Sequence, residues 1–431
     1  MAPSKPSVLV INFNAPELNQ LARALAGSGQ LRQFVRPYIN KGRAWERALS
    51  AMPLGGRIYD QTFGRRKLSD PALARLTLEA GVPYDWCSAL VGRSHFLPGA
   101  LRHRWTNDLH MQVREAVAQA GRRLAGEADC VVAYEGFALP AFQAAQRAGA
   151  RTAGARTLLN YPVAHHRARR RIRKEELHRE PTFAATWPGF DDWGPGHEAR
   201  LDDEIAAADV VLLGSPFAAD SFVAEGVPRE KLRVVPYGVD LQMFTPAGQP
   251  PAGDVFKVIY AGQLTQRKGI SYLLRGYQRF ARADTELTLV GSEVGGPQAL
   301  QPFAGLFTHL PHQTRAALAQ RYRESHVFVF PTLVEGMPLV VLEAMACGLP
   351  VIVTANGPAG IVRDGIDGFI IPERDPEAVQ EKLELLYADR ERCLAMGRNA
   401  ARRAQLYSWQ AYAEGVMRCI ALPPAHATAW A

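Results

Sequence analysis

The sequence predicts an α/β protein with two doubly wound domains. Three observations predict this class. Short apolar runs alternate with longer helical patterns, the alternation occurs twice within 431 residues, and a Pro/Gly-rich segment at 246–254 separates the two series. A chain of this length has room for two or three domains. We expect two parallel sheets with helices on both faces, flanking a central cleft.

The first series occupies residues 1–245. Its apolar runs predict strands at Ser7–Phe13, Asp129–Tyr134, Asp209–Gly214 and Leu232–Pro236. Periodicity, such as that of Leu18, Leu21 and Leu25, predicts helices at Leu18–Leu25, Ala138–Ala148 and Pro216–Glu225.

The second series occupies residues 255–407 after the linker 246–254. Its predicted strands are Phe256–Ala261, Glu286–Gly291, Val327–Pro331 and Pro350–Thr354. Its predicted helices are Ile270–Ala281, Gln313–Glu324, Leu339–Cys347 and Pro376–Ala388. A last helix, within about 408–431, is expected to cross back to the first domain. Ligands of such sheets bind at the carboxyl ends of the strands, so the loops after the second-series strands are the expected functional loops.

Charge and composition narrow the class of protein. The net charge is +8, and residues 1–250 hold 32 Lys/Arg against 25 Asp/Glu, so the first half is the basic half. No run of 18 apolar residues predicts a spanning helix, and the apolar run near the N-terminus is too short for a signal peptide. Five cysteines lack metal-binding spacing and are interpreted as reduced thiols, so we expect a cytoplasmic protein.

The most informative stretch is Val327–Pro372. A loop containing Glu335 follows a predicted strand, and a helix begins near Leu339 with Glu343 in its first turns. Free backbone amides at a helix N-terminus, such as those of Leu339 and Val340, bind phosphate. Carboxylates accept hydrogen bonds from sugar hydroxyls. The stretch therefore indicates a site for a phosphorylated sugar or nucleotide.

A second element lies upstream, at Tyr260–Gly269. A predicted strand ends at about Gly262, and Lys268 and Gly269 open the next helix. This position directs Arg267 or Lys268 toward the same site. A cation there would stabilise a diphosphate leaving group.

These segments resemble the retaining glycosyltransferases of family 4, which have the GT-B fold of two Rossmann-like domains. Glu335 and Glu343 match the paired glutamates of that family. Three further matches are Pro236–Asp240 (PYGVD), Leu289–Ser292 (LVGS) and Ala344–Pro350 (AMACGLP). Several motifs in order are a more specific signal than a single Gly-rich loop. The resemblance extends from about Asp209 to about Pro372.

The resemblance implies a nucleotide diphosphate sugar donor, a UDP- or GDP-sugar, held by the second domain. It implies that Lys268 binds the donor phosphates, Glu335 the hydroxyls of the transferred sugar and Glu343 the ribose. The remaining implied donor-binding residues are Gly262, Gln263, Leu310, Gly336, Met337, Pro338, Leu339 and Val340. The resemblance also implies that no metal and no further cofactor are required, and the matched region has no D-x-D pair.

Three positions depart from the family pattern. Gln263 stands where many members have arginine, and Arg267 is the residue expected to supply that charge. The loop Asn12–Glu17 contains no glycine, although many members open their first domain with a Gly-rich loop. Tyr134 and Glu135 stand where many members have a histidine. We treat Tyr134 and Glu135 as candidate catalytic residues that orient the acceptor.

The segment 165–174 (HHRARRRIRK) combines two histidines with six Arg/Lys. A pair of surface histidines is the ordinary interpretation of this pattern, and the alternative makes His165 a catalytic residue that orients the acceptor. For the basic run, one interpretation is peripheral membrane contact or binding of an anionic acceptor. The other is a solvated helix face paired with the acids that follow. Nothing accompanies the run that would indicate nucleic-acid binding.

The sequence thus predicts a metal-independent, retaining glycosyltransferase. It would move a sugar to a hydroxyl of a carbohydrate or lipid-linked acceptor, in surface polysaccharide or glycolipid biosynthesis. The expected location is the cytoplasm, at the inner face of the membrane. Two alternatives stay open: a nucleotide-sugar 2-epimerase of GT-B fold, and an inactive GT-B module that binds a sugar nucleotide.

Overall fold

The structure is a computed structural model that describes residues 5–421 apart from 53–55, 57, 58, 60, 61, 64, 65, 69, 95, 96, 150–154, 188–195, 249, 250 and 252. Residue contacts divide the chain into two compact units. Unit 1 comprises Met1–Tyr161, Phe190–Leu212 and Ala413–Ala431, and unit 2 comprises Pro162–Gly189 and Leu213–Tyr412. The sequence-based domain boundaries near residues 245 and 255 stay predictions. Within the described part of the chain, no helix is long and apolar enough to cross a membrane.

The first sheet has the strand order β3-β2-β1-β4-β5-β6-β7. Its strands are β1 (Val8–Ile11), β2 (Leu31–Arg36), β3 (Thr77–Glu79), β4 (Cys130–Tyr134), β5 (Arg156–Asn160), β6 (Val210–Leu213) and β7 (Leu232–Val234). The pairs from β3 to β6 are parallel, and Val8 of β1 lies opposite Cys130 of β4. Strand β1 is fully buried, which explains its continuous apolar sequence.

The helices before residue 245 connect these strands. They are α1 (Pro16–Gly27), α2 (Ala44–Ser50), α3 (Pro71–Arg75), α4 (Val82–Arg93), α5 (Gly99–Ala125), α6 (Leu139–Gly149), α7 (His166–Arg179), α8 (His197–Ala207) and α9 (Pro216–Val223). The start of α6 is organised by the buried Glu204 of α8. Its carboxylate accepts hydrogen bonds from the backbone N–H groups of Gly136 and Ala138 at 2.6 and 2.8 Å. This carboxylate supplies acceptors for amides that a helix start leaves unpaired.

The second sheet has six strands in the order β10-β9-β8-β11-β12-β13, and all of its pairs are parallel. The strands are β8 (Phe256–Ala261), β9 (Thr285–Val290), β10 (Thr308–Leu310), β11 (Val327–Phe330), β12 (Val351–Thr354) and β13 (Gly368–Ile371). The remaining helices are α10 (Ile270–Phe280), α11 (Arg315–Arg323), α12 (Leu339–Ala346), α13 (Pro376–Ala388), α14 (Arg390–Ala404) and α15 (Trp409–Ala421).

Two doubly wound parallel sheets confirm the predicted α/β class. In each sheet the chain starts at an interior strand and winds outward in both directions, which places the first strand's carboxyl end beside that of a later strand. In the second sheet, β8 and β11 are such neighbours. The loops that follow them are the two loops that the sequence singles out.

Helix α10, which begins at the end of the β8 loop, packs tightly on α13. A Cβ added at Gly276 would lie 2.6 Å from the Cβ of Val379 and 2.7 Å from the carbonyl oxygen of Pro376. These separations are shorter than real Cβ contacts allow. The two helices can therefore approach this closely only because Gly276 has no side chain.

We expect Gly276→Ala to lower the free energy of unfolding by about 1–3 kcal/mol, because this overpacking exceeds the gain in helix propensity of about 1 kcal/mol. The matched control is Gly27→Ala, at a helical glycine with no atom within 4 Å of the added Cβ. It should leave stability unchanged or raise it by up to about 1 kcal/mol. Urea unfolding followed by circular dichroism measures both, and equal effects of the two substitutions would contradict the packing argument.

Candidate functional site

The loop after β8 carries the two predicted cations. It contains a 3-10 turn, Gln266–Lys268, and then Gly269, which has a left-handed φ of 72° and leads into α10. A Cβ at Gly269 would lie 1.9 Å from the carbonyl oxygen of Pro331. Glycine is therefore needed both for the φ angle and for the approach to the end of β11. This contact holds Arg267 and Lys268 against the loop that contains Glu335.

Glu335 lies between these two cations. Its carboxylate forms ion pairs with the Arg267 guanidinium and, at 2.5 Å, with the Lys268 Nζ. The carboxylate side chain is 9% exposed and the Lys268 side chain 12% exposed. Lys268 also lies over the Phe330 ring, 5.0 Å from its centroid. The structure thus brings together three of the predicted catalytic residues.

The protonation of this cluster follows from burial and from the nearby charges. Burial acts to raise the pKa of Glu335, but Arg267 and Lys268 outweigh it, so the pKa is lowered from 4.5. Burial lowers the pKa of Lys268 to about 8, with Glu335 opposing the shift. Near pH 7 the cluster holds two cations and one carboxylate, and this excess of positive charge suits an anionic ligand.

Helix α12 begins four residues after Glu335, at Leu339. Its N-cap residue, Pro338, supplies no side-chain cap, so the first amides of the helix receive no side-chain acceptor from that residue. Leu339 and Val340 are half-buried. A helix N-terminus of this kind offers N–H groups and a positive dipole end to a phosphate.

The loop that precedes α12 is packed against the rest of unit 2. A Cβ at Gly336 would lie 1.8 Å from the carbonyl oxygen of Pro162. Met337 is 4% exposed, and its Sδ accepts a hydrogen bond from the backbone N–H of Tyr237 at 3.0 Å. The side chain of Met337 therefore anchors the loop, and a donor-binding role of Gly336 or Met337 would involve their backbone.

Glu343 has a different environment from Glu335. It pairs with Arg315 at the start of α11, at 3.0 Å, and the Arg315 side chain is 47% exposed. Burial raises the pKa of Glu343, and Arg315 only partly opposes this. Sequence reasoning did not single out Arg315. The signal available was its position five residues after Leu310, one of the predicted donor-binding residues.

Three other predicted donor-binding residues lie at the carboxyl ends of strands. Gly262 directly follows β8 and is half-buried, whereas the Gln263 side chain is exposed. The backbone carbonyl of Gln263 accepts a hydrogen bond from the Tyr260 hydroxyl at 2.7 Å. Leu310 ends β10 and is half-buried. None of these contacts decides a role in binding, so their assignment stays a prediction.

Sequence analysis did not predict that a carboxylate on α7, that of Glu176, is buried. Glu176 is fully buried and accepts hydrogen bonds from Gln266 Nε2 at 2.6 Å, the Tyr272 hydroxyl at 2.8 Å and Arg374 Nε at 2.9 Å. Gln266 is also fully buried, and its backbone N–H donates to Thr186 Oγ1 at 2.9 Å. Glu176 therefore fixes the turn that presents Arg267 and Lys268. Its position beside a basic run had indicated only a surface acid.

The expectation of a surface histidine pair is wrong. His165 and His166 are 2% and 3% exposed and stack with ring centroids 4.2 Å apart. His165 is the N-cap of α7, and its Nδ1 accepts a hydrogen bond from the backbone N–H of Arg167 at 3.3 Å. The burial of both rings and the N-cap hydrogen bond of His165 account for the presence of two adjacent histidines in structural terms. A catalytic role of His165 stays a prediction.

The basic run forms the first part of α7, and part of it is engaged within unit 2. Arg171 pairs with Glu225 at 2.5 Å, and Arg173 Nε donates to the Trp187 carbonyl oxygen at 2.9 Å. Arg169 helps to lower the pKa of Glu335, so this part of the helix adds to the positive potential at Glu335. Of the two acids that follow the run, Glu176 faces inward and Glu175 pairs with Arg374 at 3.7 Å.

Tyr134 and Glu135 lie at the carboxyl end of β4, in unit 1, as the sequence predicts. Tyr134 lines a cavity of about 250 Å³ together with Phe13, His103, Asn107, His110, Met111 and Arg114. Arg114 is 7% exposed and lies 5.9 Å from the centroids of the Phe13 and Phe137 rings. Burial lowers the pKa of His110, so its imidazole is neutral near pH 7.

The absence of glycine in the loop after β1 has a local explanation. The Asn12 side chain closes the turn by accepting from the backbone N–H of Ala15 at 2.8 Å and donating to the Ala15 carbonyl oxygen at 2.9 Å. An Asx-type turn of this kind replaces a glycine turn. It leaves Phe13 as part of the cavity wall.

Residues 255–389 match the family described as Glycosyl transferases group 1. This region contains Arg267, Lys268, Glu335 and Glu343. Among curated proteins, the chain is 33% identical over 235 residues to a D-inositol 3-phosphate glycosyltransferase of Paenarthrobacter aurescens, covering 49% of this chain and 56% of that protein. It is 31% identical over 264 residues to a second such enzyme, of Catenulispora acidiphila, covering 55% and 62%. The chain thus spans a little over half the length of these relatives.

Solved structures of low sequence identity share the fold along nearly the whole chain. Sucrose-phosphate synthase of Thermosynechococcus elongatus superposes with a TM-score of 0.63 at 19% identity, covering 96% of this chain and 98% of that one. Anabaena HepE in complex with UDP and glucose superposes with a TM-score of 0.61 at 13% identity, covering 96% and 99%. The predicted GT-B fold is confirmed.

We expect Glu335→Gln to destabilise unit 2 near pH 7 by about 3–5 kcal/mol, because Arg267 and Lys268 lose a buried counter-charge. The pKa of Glu335 is lowered from 4.5 on folding, so its carboxylate stabilises the fold above about pH 4.5. That contribution is lost as the pH falls through the lower folded value. The difference between wild type and variant should therefore shrink below about pH 4.5.

Urea unfolding at a series of pH values from about 7 to about 3 measures this difference. The matched control is Glu377→Gln, whose carboxylate pairs with Arg279 but is 66% exposed. That substitution should change stability little at any pH, because an exposed ion pair is screened by solvent. A Glu335→Gln deficit that is as large at low pH as at neutral pH would contradict a stabilising, ionised carboxylate.

Proposed function

We propose that this protein is a glycosyltransferase that moves a sugar from a nucleotide diphosphate sugar to an acceptor hydroxyl. The observation that carries the proposal is the cluster of Arg267, Lys268 and Glu335, in which Glu335 lies four residues before the start of α12. Two cations and free helix amides supply the charge that a diphosphate requires. The family match over residues 255–389 supports the same class of reaction.

In this proposal Lys268 and Arg267 neutralise the diphosphate as it leaves. Charge develops on the leaving oxygen in the transition state, and cations already fixed in a buried site stabilise it without further reorganisation. Glu335 then accepts hydrogen bonds from the hydroxyls of the transferred sugar, and Glu343 binds the ribose. We propose retention of the anomeric configuration without a metal ion. The acceptor oxygen attacks the anomeric carbon on the face from which the diphosphate leaves, and the leaving diphosphate takes the proton of the acceptor hydroxyl. The assignment follows the resemblance to family 4.

UDP is the first nucleotide to test, because structures of Anabaena HepE contain UDP and UDP-glucose. For the acceptor we propose a small polyhydroxylated molecule in the cavity beside Tyr134. Its aromatic, imidazole, amide and guanidinium groups suit hydroxyls, and Arg114 adds a positive charge for a phosphate. The relatives' name makes D-inositol 3-phosphate the first acceptor to test. Surface polysaccharide or glycolipid assembly stays the proposed context.

Two experiments test the proposal. The first measures binding of UDP, GDP and ADP by thermal shift, and the second measures turnover of UDP-glucose with and without acceptors. UDP should raise the melting temperature of wild type, and Lys268→Ala should lose the shift. Lys382→Ala, at a lysine that pairs with Glu381 on α13, should keep it. Transfer should require an acceptor, and nuclear magnetic resonance of the product should show the retained anomeric configuration.

Other outcomes would replace the proposal. An epimerised sugar formed without an acceptor would indicate a nucleotide-sugar 2-epimerase. Nucleotide binding without turnover in any acceptor mixture would indicate an inactive binding module. Absence of a shift with every nucleotide would overturn the assignment of the donor site.

The affinity for UDP should depend on the charge of Lys268. Its pKa in the free protein is about 8, so the lysine loses its proton as the pH rises above that value. We expect the Kd of UDP, measured by calorimetry between about pH 7 and 9, to rise above about pH 8 with a limiting slope of about tenfold per pH unit. Lys268→Arg should give a weaker dependence, because guanidinium stays charged. The same slope in both proteins would contradict the assignment.

A substitution in the cavity of unit 1 should raise the KM of the acceptor and leave the affinity for the donor nucleotide unchanged. We expect Asn107→Ala to raise the acceptor KM by about tenfold, the cost of one lost hydrogen bond, without changing the Kd of UDP. Gln119→Ala is the matched control, because Gln119 lies on the same helix and bonds only to Glu115 at 2.7 Å among the contacts described. A KM equal to that of wild type would remove Asn107 from the acceptor site.

A further inference from the structure

A second cavity, within unit 2, shares no lining residue with the candidate functional site. Its volume is about 400 Å³, and small-molecule sites typically have volumes of about 300–1,000 Å³. The ends of α11 and α12, one face of α14 and the segment 246–248 surround it. Three of its lining residues are arginines, namely Arg323, Arg398 and Arg402. We call this space the arginine cavity.

The turn that follows α12 holds the walls of the arginine cavity together. Gly348 in this turn has a left-handed φ of 88°. A Cβ added at Gly397 of α14 would lie 2.1 Å from the carbonyl oxygen of Gly348, and a Cβ added at Gly348 would lie 3.4 Å from the Cβ of Pro246. Three segments that are distant in sequence therefore meet at this turn, and their close packing fixes the shape of the cavity.

The three arginines of the cavity have no carboxylate partner among the residues that the structure describes. Arg323 donates to the side-chain oxygen of Gln320 at 3.2 Å, and Arg402 donates to that of Asn399. Both acceptors are neutral amides. Arg398 is exposed, and its guanidinium forms no hydrogen bond or ion pair with another described residue. The positive charge of the three guanidiniums is therefore available to a ligand.

The rest of the lining adds no negative charge. None of the described residues around the cavity is Asp or Glu. Cys347 also lines the cavity, and burial raises the pKa of its thiol to about 12, so the thiol is neutral near pH 7. An anionic ligand would therefore meet three cations and no lining carboxylate.

We propose that the arginine cavity is an effector site for a small phosphorylated molecule. A guanidinium presents N–H groups side by side, in a geometry that matches two phosphate oxygens. The lining also includes the apolar side chains of Leu349, Leu394 and Ala401, which suit the carbon skeleton of the ligand. A volume of about 400 Å³ suits a molecule of the size of a sugar phosphate.

Two helices connect the arginine cavity to the candidate functional site. Helix α11 ends at Arg323 in the cavity and begins at Arg315, which pairs with Glu343. Helix α12 ends just before Cys347 in the cavity and begins at Leu339, at the proposed diphosphate site. The helices have nine and eight residues, so they are about 12–14 Å long. Anions bound at both ends of these helices would repel each other across the protein interior.

A ligand in the arginine cavity should therefore weaken binding of the donor nucleotide. This consequence rests on the proposed function, because it requires a nucleotide diphosphate at the start of α12. By reciprocity, UDP should weaken binding of the phosphorylated effector by the same factor. We expect a factor of about three to ten at low ionic strength, and a smaller factor when added salt screens the charges.

Calorimetric titration with inorganic phosphate and with ribose 5-phosphate tests the site. Both probes should bind the wild-type protein, whereas ribose without phosphate should not. Arg398→Ala with Arg402→Ala should weaken binding at least about tenfold, because two charged donors are lost. The matched control is Arg279→Ala with Arg321→Ala, which removes two exposed arginines of unit 2 outside the cavity and should bind both probes as wild type does. Unchanged circular dichroism establishes that the variants are folded.

A second titration measures the coupling to the nucleotide. Saturating ribose 5-phosphate should raise the Kd of UDP for wild type by about three- to tenfold. The variant with Arg398→Ala and Arg402→Ala should bind UDP as wild type does, with or without ribose 5-phosphate, because neither arginine belongs to the candidate functional site. Lys268→Ala should lose UDP binding and keep ribose 5-phosphate binding. Failure of the donor site and failure of the arginine cavity are therefore distinguishable.

Three results would overturn the proposal. One is that neither probe binds wild type at millimolar concentration. Another is binding that survives Arg398→Ala with Arg402→Ala, which would place the probes elsewhere. The third is a Kd of UDP that bound ribose 5-phosphate leaves unchanged, which would remove the effector role. If UDP itself fails to bind, the proposed function fails, and the first titration still decides whether the arginine cavity binds a phosphorylated molecule.

Discussion

The candidate site of unit 2 depends on one carboxylate placed between two cations. Glu335 neutralises only part of the charge of Arg267 and Lys268, so a buried site is left with excess positive charge. Burying that charge is costly, and the lowered pKa of Lys268 reflects the cost. An incoming diphosphate would supply the missing negative charge. The apo protein therefore carries an electrostatic penalty that the proposed donor would relieve, and this links the stability of the cluster to its specificity for anions.

The two cations keep their positions beside Glu335 only if the loop that carries them is rigid. A segment far away in sequence, helix α7, holds this loop in place. The turn that carries Arg267 and Lys268 is fixed by Gln266, whose side chain bonds to Glu176 of α7. Gly269 allows the same turn to reach the end of β11. Glu176 is itself held by Tyr272 and Arg374, which follow strands β8 and β13 of the second sheet. A buried carboxylate with several donors fixes orientation because each lost bond would leave a polar group unpaired.

The sequence predicted the parts of this arrangement that local patterns encode. The bounds of β8 and α13 agree with the structure because apolar runs and helical periodicity mark them directly. The short strands β3 and β10 carry three residues each, too few for a periodic signal. Glu335 and Lys268 could be predicted from the sequence motifs that contain them. Glu176 was not, because its partners lie far along the chain and only the tertiary fold brings them together. The same holds for the buried His165, whose polar neighbours in sequence suggested exposure.

The two glutamates eight positions apart show why the environment determines what a motif residue does. Glu335 faces two cations, and its pKa is lowered; Glu343 faces one half-exposed arginine, and burial raises its pKa. A carboxylate that is strongly ionised at neutral pH keeps its position among fixed cations while hydroxyls bind to it. A carboxylate with a single half-exposed partner can exchange that partner for ligand hydroxyls at lower cost, because the Arg315 guanidinium remains solvated when it is released. Glu335 is therefore held in place by two cations, whereas the one cation that pairs with Glu343 can be exchanged.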